Sequence, residues 1–475
     1  MNIKQLRQTI LDRAIRGQLV SQDPTDEPAS VLLERIRAEK EQLIKDKKLK
    51  REKRDNQPIE EVPFEIPEGW VWCRLREIAY IASGSTPKST SFVDKGIPYL
   101  KVYNLRNQVI DFDYKPQYIK ESIHNGILKR SKTEIGDLIM NIVGPPLGKL
   151  AIIPTSLPES NFNQAAVLIR PYLHKNIINK YLFYFLSEMS EINSISTKGS
   201  AGQVNISLSQ AKDMKIPLPP LKEQHRIVQK IEQLFALIDI IEVNKKALEK
   251  LIQQAKSQVL SDAVAGKLTH QDPNDEPAEE LLKRIGKTTA PDTPYEKMLP
   301  KGWAWCKLGD ISIINPKNKL NDELEVSFIP MSLISEGFSN AHTSEVKKWK
   351  NINKGYAHFC NEDIGIAKIT PCFENRKSVI FNNLKNGVGA GTTELYILRS
   401  NKTLSFNKYI FYFVKTQEFI NNGIKGFTGA VGQQRISRYF IENTLIPLPP
   451  IAEQHRIVQK IESYFSFFDM IENNL

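Results

Sequence analysis

Two glycine loops gather the side chains best suited to hydrogen-bond a ligand. The first runs through Lys198, Gly199, Ser200, Ala201, Gly202, Gln203, Val204 and Asn205. The second runs through Lys425, Gly426, Phe427, Thr428, Gly429, Ala430, Val431, Gly432, Gln433, Gln434 and Arg435. Lysine and arginine neutralise phosphates or pair with guanine, and asparagine and glutamine match the adenine edge. Small residues allow close backbone approach. A tight loop ahead of a framework strand would have the same composition, so both readings stand. A second Gly/Ser/Thr loop, Ser83–Thr90, carries Lys88, and its counterpart Ile313–Lys319 carries Lys317 and Lys319. A third candidate, directly after an expected strand, is Lys101–Asn104, with Lys101 and Asn104 as its reading groups.

Motifs for covalent chemistry fail one after another. Gly144–Leu150 resembles a phosphate loop, but that motif needs a longer span between its glycines and a Ser or Thr after the lysine. Here Leu150 follows Lys149, and the span is three residues, two of them prolines. Asn315-Pro316-Lys317 begins like the Asn-Pro-Pro-aromatic motif of amine methyltransferases and then departs from it. Pro291-Asp292 with Glu296-Lys297 is too closely spaced for a metal-dependent nuclease, and it lies in a linker. His225 and His455 repeat, but no Cys or Asp stands beside them, which points to a structural role or a subunit contact. Cys73 and Cys306 each follow a Gly-Trp-x-Trp stretch and read as matched core thiols. Cys360 and Cys372 have no short-spaced Cys/His companion, so zinc is not expected. The chain is read as having no catalytic residue, metal site or cofactor of its own.

Composition narrows the partners. In 475 residues, 65 Lys+Arg against 54 Asp+Glu give a net charge of +11, which favours a polyanion such as nucleic acid. The amino-terminal MNIKQLRQTILDR is charged where a signal peptide would be apolar, and no apolar run approaches a membrane span. A cytoplasmic protein away from membranes is expected. A chain of this length calls for more than one domain.

The elements that must position these loops occur twice. Ile216–Glu232 recurs as Ile446–Glu462, Pro67–Leu75 as Pro300–Leu308, and Gln22–Ile36 as Gln271–Ile285. Weaker echoes pair Asn179–Phe185 with Asn407–Phe413 and Gly199–Ser207 with Gly429–Ser437. The order is circular: aligned outward, Leu475 falls opposite Lys245 and Met1 opposite about Lys250. Pro219 and Pro220 suit a first helical turn, and no helix breaker follows until Gly266. Ile227, Ile231, Leu234, Ile238, Ile241, Leu248, Ile252, Ala255 and Val259 alternate by four and three, the seam of a coiled coil. Its split copy carries Ile457, Ile461, Tyr464, Phe468 and Ile471 at one end, and Ile3, Leu6, Ile10 and Ala14 at the other. Each spacer helix is roughly 45 residues, or about 65 Å. A second helical pattern ends near Asp55 in the charged stretch Lys45–Asp55, either a solvated end or a phosphate-contacting arm. Between the spacers, short β-branched runs alternate with turns, as in Ile97–Val102, Asp137–Val143, Ala165–Ile169 and Thr393–Leu398. Each variable region then has one helix, Asn179–Ser190 or Asn407–Phe419.

The duplicated IPLPPxxEQHRIVQKIE, the QDPxDEP turn, the PxGWxWCxL start and the circular order together resemble the specificity (S) subunits of Type I restriction-modification enzymes. The resemblance covers essentially the whole chain. It implies an α+β fold: two mixed α/β target-recognition domains, for which the strand runs themselves predict a curved sheet, joined by two long antiparallel coiled-coil spacer helices in a circular pseudo-twofold arrangement. The expected segments are an N-terminal helical region 1–55, a first target-recognition domain 56–215 and a central helical spacer 216–290. A second recognition domain 291–445 and a C-terminal helix 446–475 follow. The resemblance also implies double-stranded DNA as ligand, read as two dissimilar half-sites about one duplex turn apart. Two methyltransferase subunits using S-adenosylmethionine and restriction motor-nuclease subunits using ATP and Mg²⁺ are the implied partners. The second glycine loop departs from the first, which leaves its contacts unmatched one by one. A single-chain enzyme, or a DNA-binding or coiled-coil scaffold outside restriction, are the rival readings.

Overall fold

The computed structural model of the chain describes residues 2–51, 59, 61–144, 146–189, 193, 205–289, 299–430 and 432–475. It separates into two compact units, Met1–Val243 and Asn244–Leu475.

In the first unit, helix α1 (Ile3–Ile15) starts where the Asn2 side chain accepts from the Gln5 N–H at 3.1 Å. Its Ile10, Leu11, Ala14 and Ile15 are buried. Helix α2 (Ala29–Lys45) buries Leu32, Leu33 and Ile36, the three-and-four spacing of one helical face. Helix α3 (Lys175–Glu188) adds Ile178, Tyr181, Leu182 and Phe185 to the same core. Helix α4 (Leu221–Val264, 44 residues) begins directly after Pro219 and Pro220, and its first part adds Ile227, Ile231 and Ile238. Val71–Arg74 and Lys215–Leu218 form an antiparallel ribbon.

The variable part holds two four-stranded sheets in place of the single curved sheet expected. One orders Ala79–Ser83, Ala166–Pro171, Leu138–Asn141 and Leu150–Ile152, all antiparallel. The other contains the parallel pair Asn161–Phe162 and Ile97–Leu100. Successive side chains of a strand face opposite sides. Leu138, Met140, Val167 and Ile169 therefore join the helical core, while Ile139 and Leu168 join a second core with Leu100 and Phe162. Being covered on both faces is why these strands are apolar throughout rather than alternating.

The second unit repeats the plan. Helix α5 (Ala278–Arg284) matches α2, and the ribbon pairs Ala304–Lys307 with Leu445–Leu448. Ser312–Ile314, Leu395–Ser400, Ile364–Ala367 and Ser378–Ile380 form the equivalent antiparallel sheet. Its Ile364, Ile366 and Leu398 face the helical core, and Val379 and Ile397 the second one. Helix α8 (Ile451–Asn473) packs Ile457, Val458, Ile461 and Phe465 inward.

Two expectations for the helices are corrected as well. The single helix Asn407–Phe419 is two, α6 (Asn407–Val414) and α7 (Gln417–Lys425), because the Thr416 hydroxyl caps the second by accepting from the Phe419 N–H at 3.3 Å. The long seam is also interrupted: Ile241 is 44% and Leu248 36% exposed. The split copy supplies α1 to the first part of α4, where Arg7 pairs with Asp239. It supplies α8 to the last part, where Lys256 pairs with Asp469 at 2.6 Å and Glu472 at 2.9 Å. Each pairing is antiparallel, and between them the seam is exposed at Ile241 and Leu248, while Ile252 is buried again.

Candidate nucleic-acid interface

The duplicated motifs build the frame on which the variable loops stand. In the first unit the Trp70 indole N–H and the Gln22 amide donate to the two oxygens of Glu223, each at 3.0 Å. In the second, Trp303 and Gln271 donate to Glu453 at 2.9 and 3.1 Å. Burial pushes the Glu223 carboxyl above its ordinary pKa, and the two donors oppose that shift. Beside each knot an arginine clamps the QDPxDEP turn: Arg226 to Asp26 at 2.7 Å, Arg456 to Asp275 at 2.5 Å. Each ribbon is tied to the helix of its own domain by a tyrosine: the Tyr181 hydroxyl of α3 donates to the Pro217 carbonyl at 2.5 Å, and that of Tyr409 on α6 to the Pro447 carbonyl at 2.6 Å. His225 and His455 lie outside the knots and are exposed, with the His455 ring centred 4.1 Å from that of Phe406 and tilted 32° to it.

A second matched device sits inside each antiparallel sheet. The buried Asp137 accepts from Arg170 Nε at 2.9 Å and Nη2 at 2.5 Å. Asp363 accepts from Arg399 Nε at 2.9 Å and Nη2 at 2.7 Å.

The candidate reading groups are distributed unevenly. Lys198, Ser200 and Gln203 lie outside the described residues. Asn205 bridges Val143, and its buried Oδ1 has no hydrogen-bond partner among the described residues. Lys88 is exposed at the head of the turn Ser89–Ser91. Lys101 is half-buried, its ammonium 5.7 Å from the Phe92 ring and 5.9 Å from that of Tyr103. Asn104 corrects the expectation of a base reader. It is 1% exposed, and its Oδ1 accepts from the Lys101 N–H at 2.9 Å. Its Nδ2 donates to the Asp111 and Tyr114 carbonyls at 3.0 and 2.9 Å, which leaves the amide no hydrogen to offer a base.

In the second domain the glycine loop returns to the sheet at the equivalent place, with Arg435 bridging Ile369. Arg435 is itself engaged, donating to Glu394 at 2.9 and 3.0 Å and to the Gln433 carbonyl at 2.8 Å. That pairing raises the arginine pKa and lowers that of Glu394, so Arg435 fixes the loop instead of projecting from it. Gln434 is half-buried, and its carbonyl accepts from the Thr370 N–H at 2.9 Å. Thr428 is exposed and exchanges backbone hydrogen bonds with Arg435 at 3.0 and 2.9 Å. Lys425 and Gln433 are exposed at the start and end of the loop. Lys317 and Lys319 are exposed too, with Lys317 donating to the Tyr356 carbonyl at 3.4 Å.

A family described as Type I restriction modification DNA specificity domain matches residues 67–250 and again residues 300–475. The chain belongs to this family. It is 46% identical over 241 residues to the Type I restriction enzyme EcoAI specificity subunit of Escherichia coli, a match spanning 46% of this chain and 41% of that protein. The chain thus covers about two fifths of the length of that relative. Against the EcoKI specificity subunit of E. coli K12 it is 24% identical over 427 residues, 86% of this chain and 85% of the relative. A solved chain from a type I R-M system, described for its complex assembly and conformational transition, superposes with a TM-score of 0.56 at 18% identity, covering 87% of this chain and 94% of that one. The crystal structure of the HsdS subunit from Thermoanaerobacter tengcongensis gives 0.53, also at 18%, over 88% and 94%. At that identity these structures share the fold.

Each matched stretch of the specificity family begins at a PxGWxWC segment and ends on a spacer helix. One loop of the first domain had little signal in the sequence. Leu105–Arg106 and Val109–Ile110 form a hairpin beside Tyr114, whose ring lies 4.1 Å from the Arg106 guanidinium and 5.4 Å from the Lys115 ammonium. A pair of positions between two very short strands, without glycine, is a weak turn signal. The aromatic residues and cations nearby were the better clue.

Proposed function

We propose that this chain is the DNA-recognition subunit of a Type I restriction-modification complex. Its two reading domains, 56–215 and 291–445, each bind one half of a bipartite, asymmetric duplex site. Two methyltransferase subunits then methylate adenine with S-adenosylmethionine, and restriction motor-nuclease subunits cleave unmodified DNA with ATP and Mg²⁺. The chain itself is non-catalytic and works in the cytoplasm.

The observation that carries this reading is a duplicated, hydrogen-bonded frame bearing two different sets of exposed polar loops. One frame with two loop sets suits two different half-sites. The exposed Lys88, Lys317, Lys319, Lys425, Thr428 and Gln433 are of the types that grip phosphates and base edges. Within the first unit, Leu237, Ile240 and Val243 expose an apolar strip on α4; within the second, Leu251, Phe467 and Met470 are exposed. Apolar exposure of that extent on a monomer favours protein docking, and supports the methyltransferase subunits as partners.

Co-expression with a methyltransferase partner, followed by genome-wide mapping of methylated adenines, tests the proposal. A split motif of two dissimilar halves is the expected result. Methylation without sequence preference would count against it. So would methylation or cleavage by the rigorously purified chain supplied with S-adenosylmethionine, ATP and Mg²⁺.

A further inference from the structure

The hairpin tip of the first domain is built in a way its fold does not require. Leu105 pairs with Ile110 and Arg106 with Val109, leaving Asn107 and Gln108 as a two-residue turn. Their φ angles are +49° and +61°, the left-handed pair of a type I′ turn. Such turns favour Asn followed by Gly, because a side chain in left-handed backbone meets steric resistance that glycine avoids. Glutamine is a poor choice for the turn and a reasonable one for a side chain needed at its tip. Both amides are exposed, and neither has a hydrogen-bond partner among the described residues. Elsewhere in this domain the side-chain amides of Asn104 and Asn161 are tied to backbone carbonyls.

The tip faces Pro146–Lys149 across an open cleft of about 450 Å³. That facing wall is held in place: Asn141 Nδ2 donates to the Pro146 carbonyl at 2.9 Å, and its Oδ1 accepts from the Lys149 N–H at 2.5 Å. Arg106 lies over Tyr114, with Asp111 3.6 Å away, and Val109 is 58% exposed. The cleft therefore combines free amides, an exposed methyl-bearing side chain and two cations on supported backbone.

We propose that this cleft is a base-reading site of the first domain. Asn107 and Gln108 hydrogen-bond base edges of duplex DNA, matched best to adenine, and Val109 contacts a thymine methyl. Arg106 and Lys149 hold the flanking phosphates. The assignment rests on the DNA-recognition reading above. The corresponding turn of the second domain does not share the role. There Ile334 bridges His342, and Phe338 packs 5.7 Å from Phe465 and under Arg376 at 5.0 Å.

The test compares the complete complex carrying wild-type chain, Gln108→Gly or Asn107→Ala. Methylated adenines define the wild-type site, and binding is measured on duplexes carrying each single-base-pair change. Each variant is expected to lose about 5- to 150-fold discrimination at a base pair of one half-site, leaving the other half intact. Gln108→Gly should melt at or above the wild-type temperature, since it restores the residue the turn prefers. An unchanged ranking of duplexes in both variants, with wild type specific, overturns the site alone. Altered ranking with a lowered melting temperature in Gln108→Gly also overturns it, because the residue would then act through the fold. A wild-type complex without sequence preference overturns the DNA-recognition reading and the site with it.

Discussion

Glu223 and Glu453 show why the repeated residues tolerate little change. Each buried carboxylate is satisfied by an indole and an amide from two other motifs, so removing one donor leaves an oxygen short of a partner in a poorly solvated place. Trp70→Phe should cost about 1–3 kcal/mol, and Trp303→Phe a similar amount in its own unit, as thermal melts would show. Lys415 offers a different test. It is buried, and its ammonium nitrogen donates to the Gly337 and Arg376 carbonyls at 2.6 and 3.0 Å. Burial first, and the nearby Arg376 charge second, lower its pKa to about 7. Between that value and the ordinary lysine range the unfolded chain holds the proton and the folded chain does not, so stability rises with pH. The difference in unfolding free energy between wild type and Lys415→Met should move by up to about 1.4 kcal/mol per pH unit from pH 7 to 10. A flat difference would show the lysine charged throughout. Residue types were legible in the sequence, but their partners were not. Asn104 and Arg435 have the chemistry of base readers, yet Asn104 is consumed by carbonyls of its own loop and Arg435 by Glu394, forty-one positions away. Glutamine at the hairpin tip was the opposite case, a reader concealed because its turn lacks the glycine that announces such turns.

The elements were readable where periodicity and capping agreed. Helix α4 starts after its prolines and stops before Gly266, as the spacing required, and its copy is split between α1 and α8. The stop has a geometric cause that repeats. Gln18 N–H donates to the Arg13 carbonyl at 2.8 Å and Gly17 N–H to that of Ala14 at 3.2 Å. Lys267 and Gly266 do the same to Asp262 and Ala263 at 2.9 and 3.2 Å. This is a Schellman ending, which places the glycine in left-handed backbone, here at φ +67° and +69°. A Cβ on Gly17 would also stand 2.3 Å from Pro67 Cγ, and one on Gly266 2.2 Å from Pro300 Cγ. Gly17→Ala or Gly266→Ala should therefore cost about 2 kcal/mol or more, read as a drop in melting temperature. What the pattern concealed was the break at Thr416, where one apolar stretch continues across two helices and a hydroxyl decides the boundary. It also concealed that the α4 seam is left exposed at Ile241 and Leu248, since a heptad repeat records apolar spacing and not which partner helix covers it.

For the whole molecule, the question is whether the two frames carry independent loops. The indole, amide, arginine and tyrosine ties of the first frame each have a counterpart in the second, as does Lys180 with Glu232 at 2.8 Å in Lys408 with Glu462 at 2.6 Å. The loops share no such correspondence: a two-residue hairpin tip in one domain is a longer turn seated on α8 through Phe338 in the other. If reading is carried by loops and support by frames, the domains are exchangeable as units. Replacing Pro291–Leu445 with the equivalent segment of a relative should then rewrite one half-site of the methylation motif and leave the other unchanged. The ends of that segment favour this, because Leu445 opens the ribbon strand and the tie of Trp303 to Glu453 can re-form with any relative that keeps the same motifs. The measurement is the methylated-adenine map of cells carrying the chimaera with its partner subunits. A motif altered in both halves would mean that the loops of one unit depend on the other. A motif unaltered in either would move recognition out of the exchanged segment altogether.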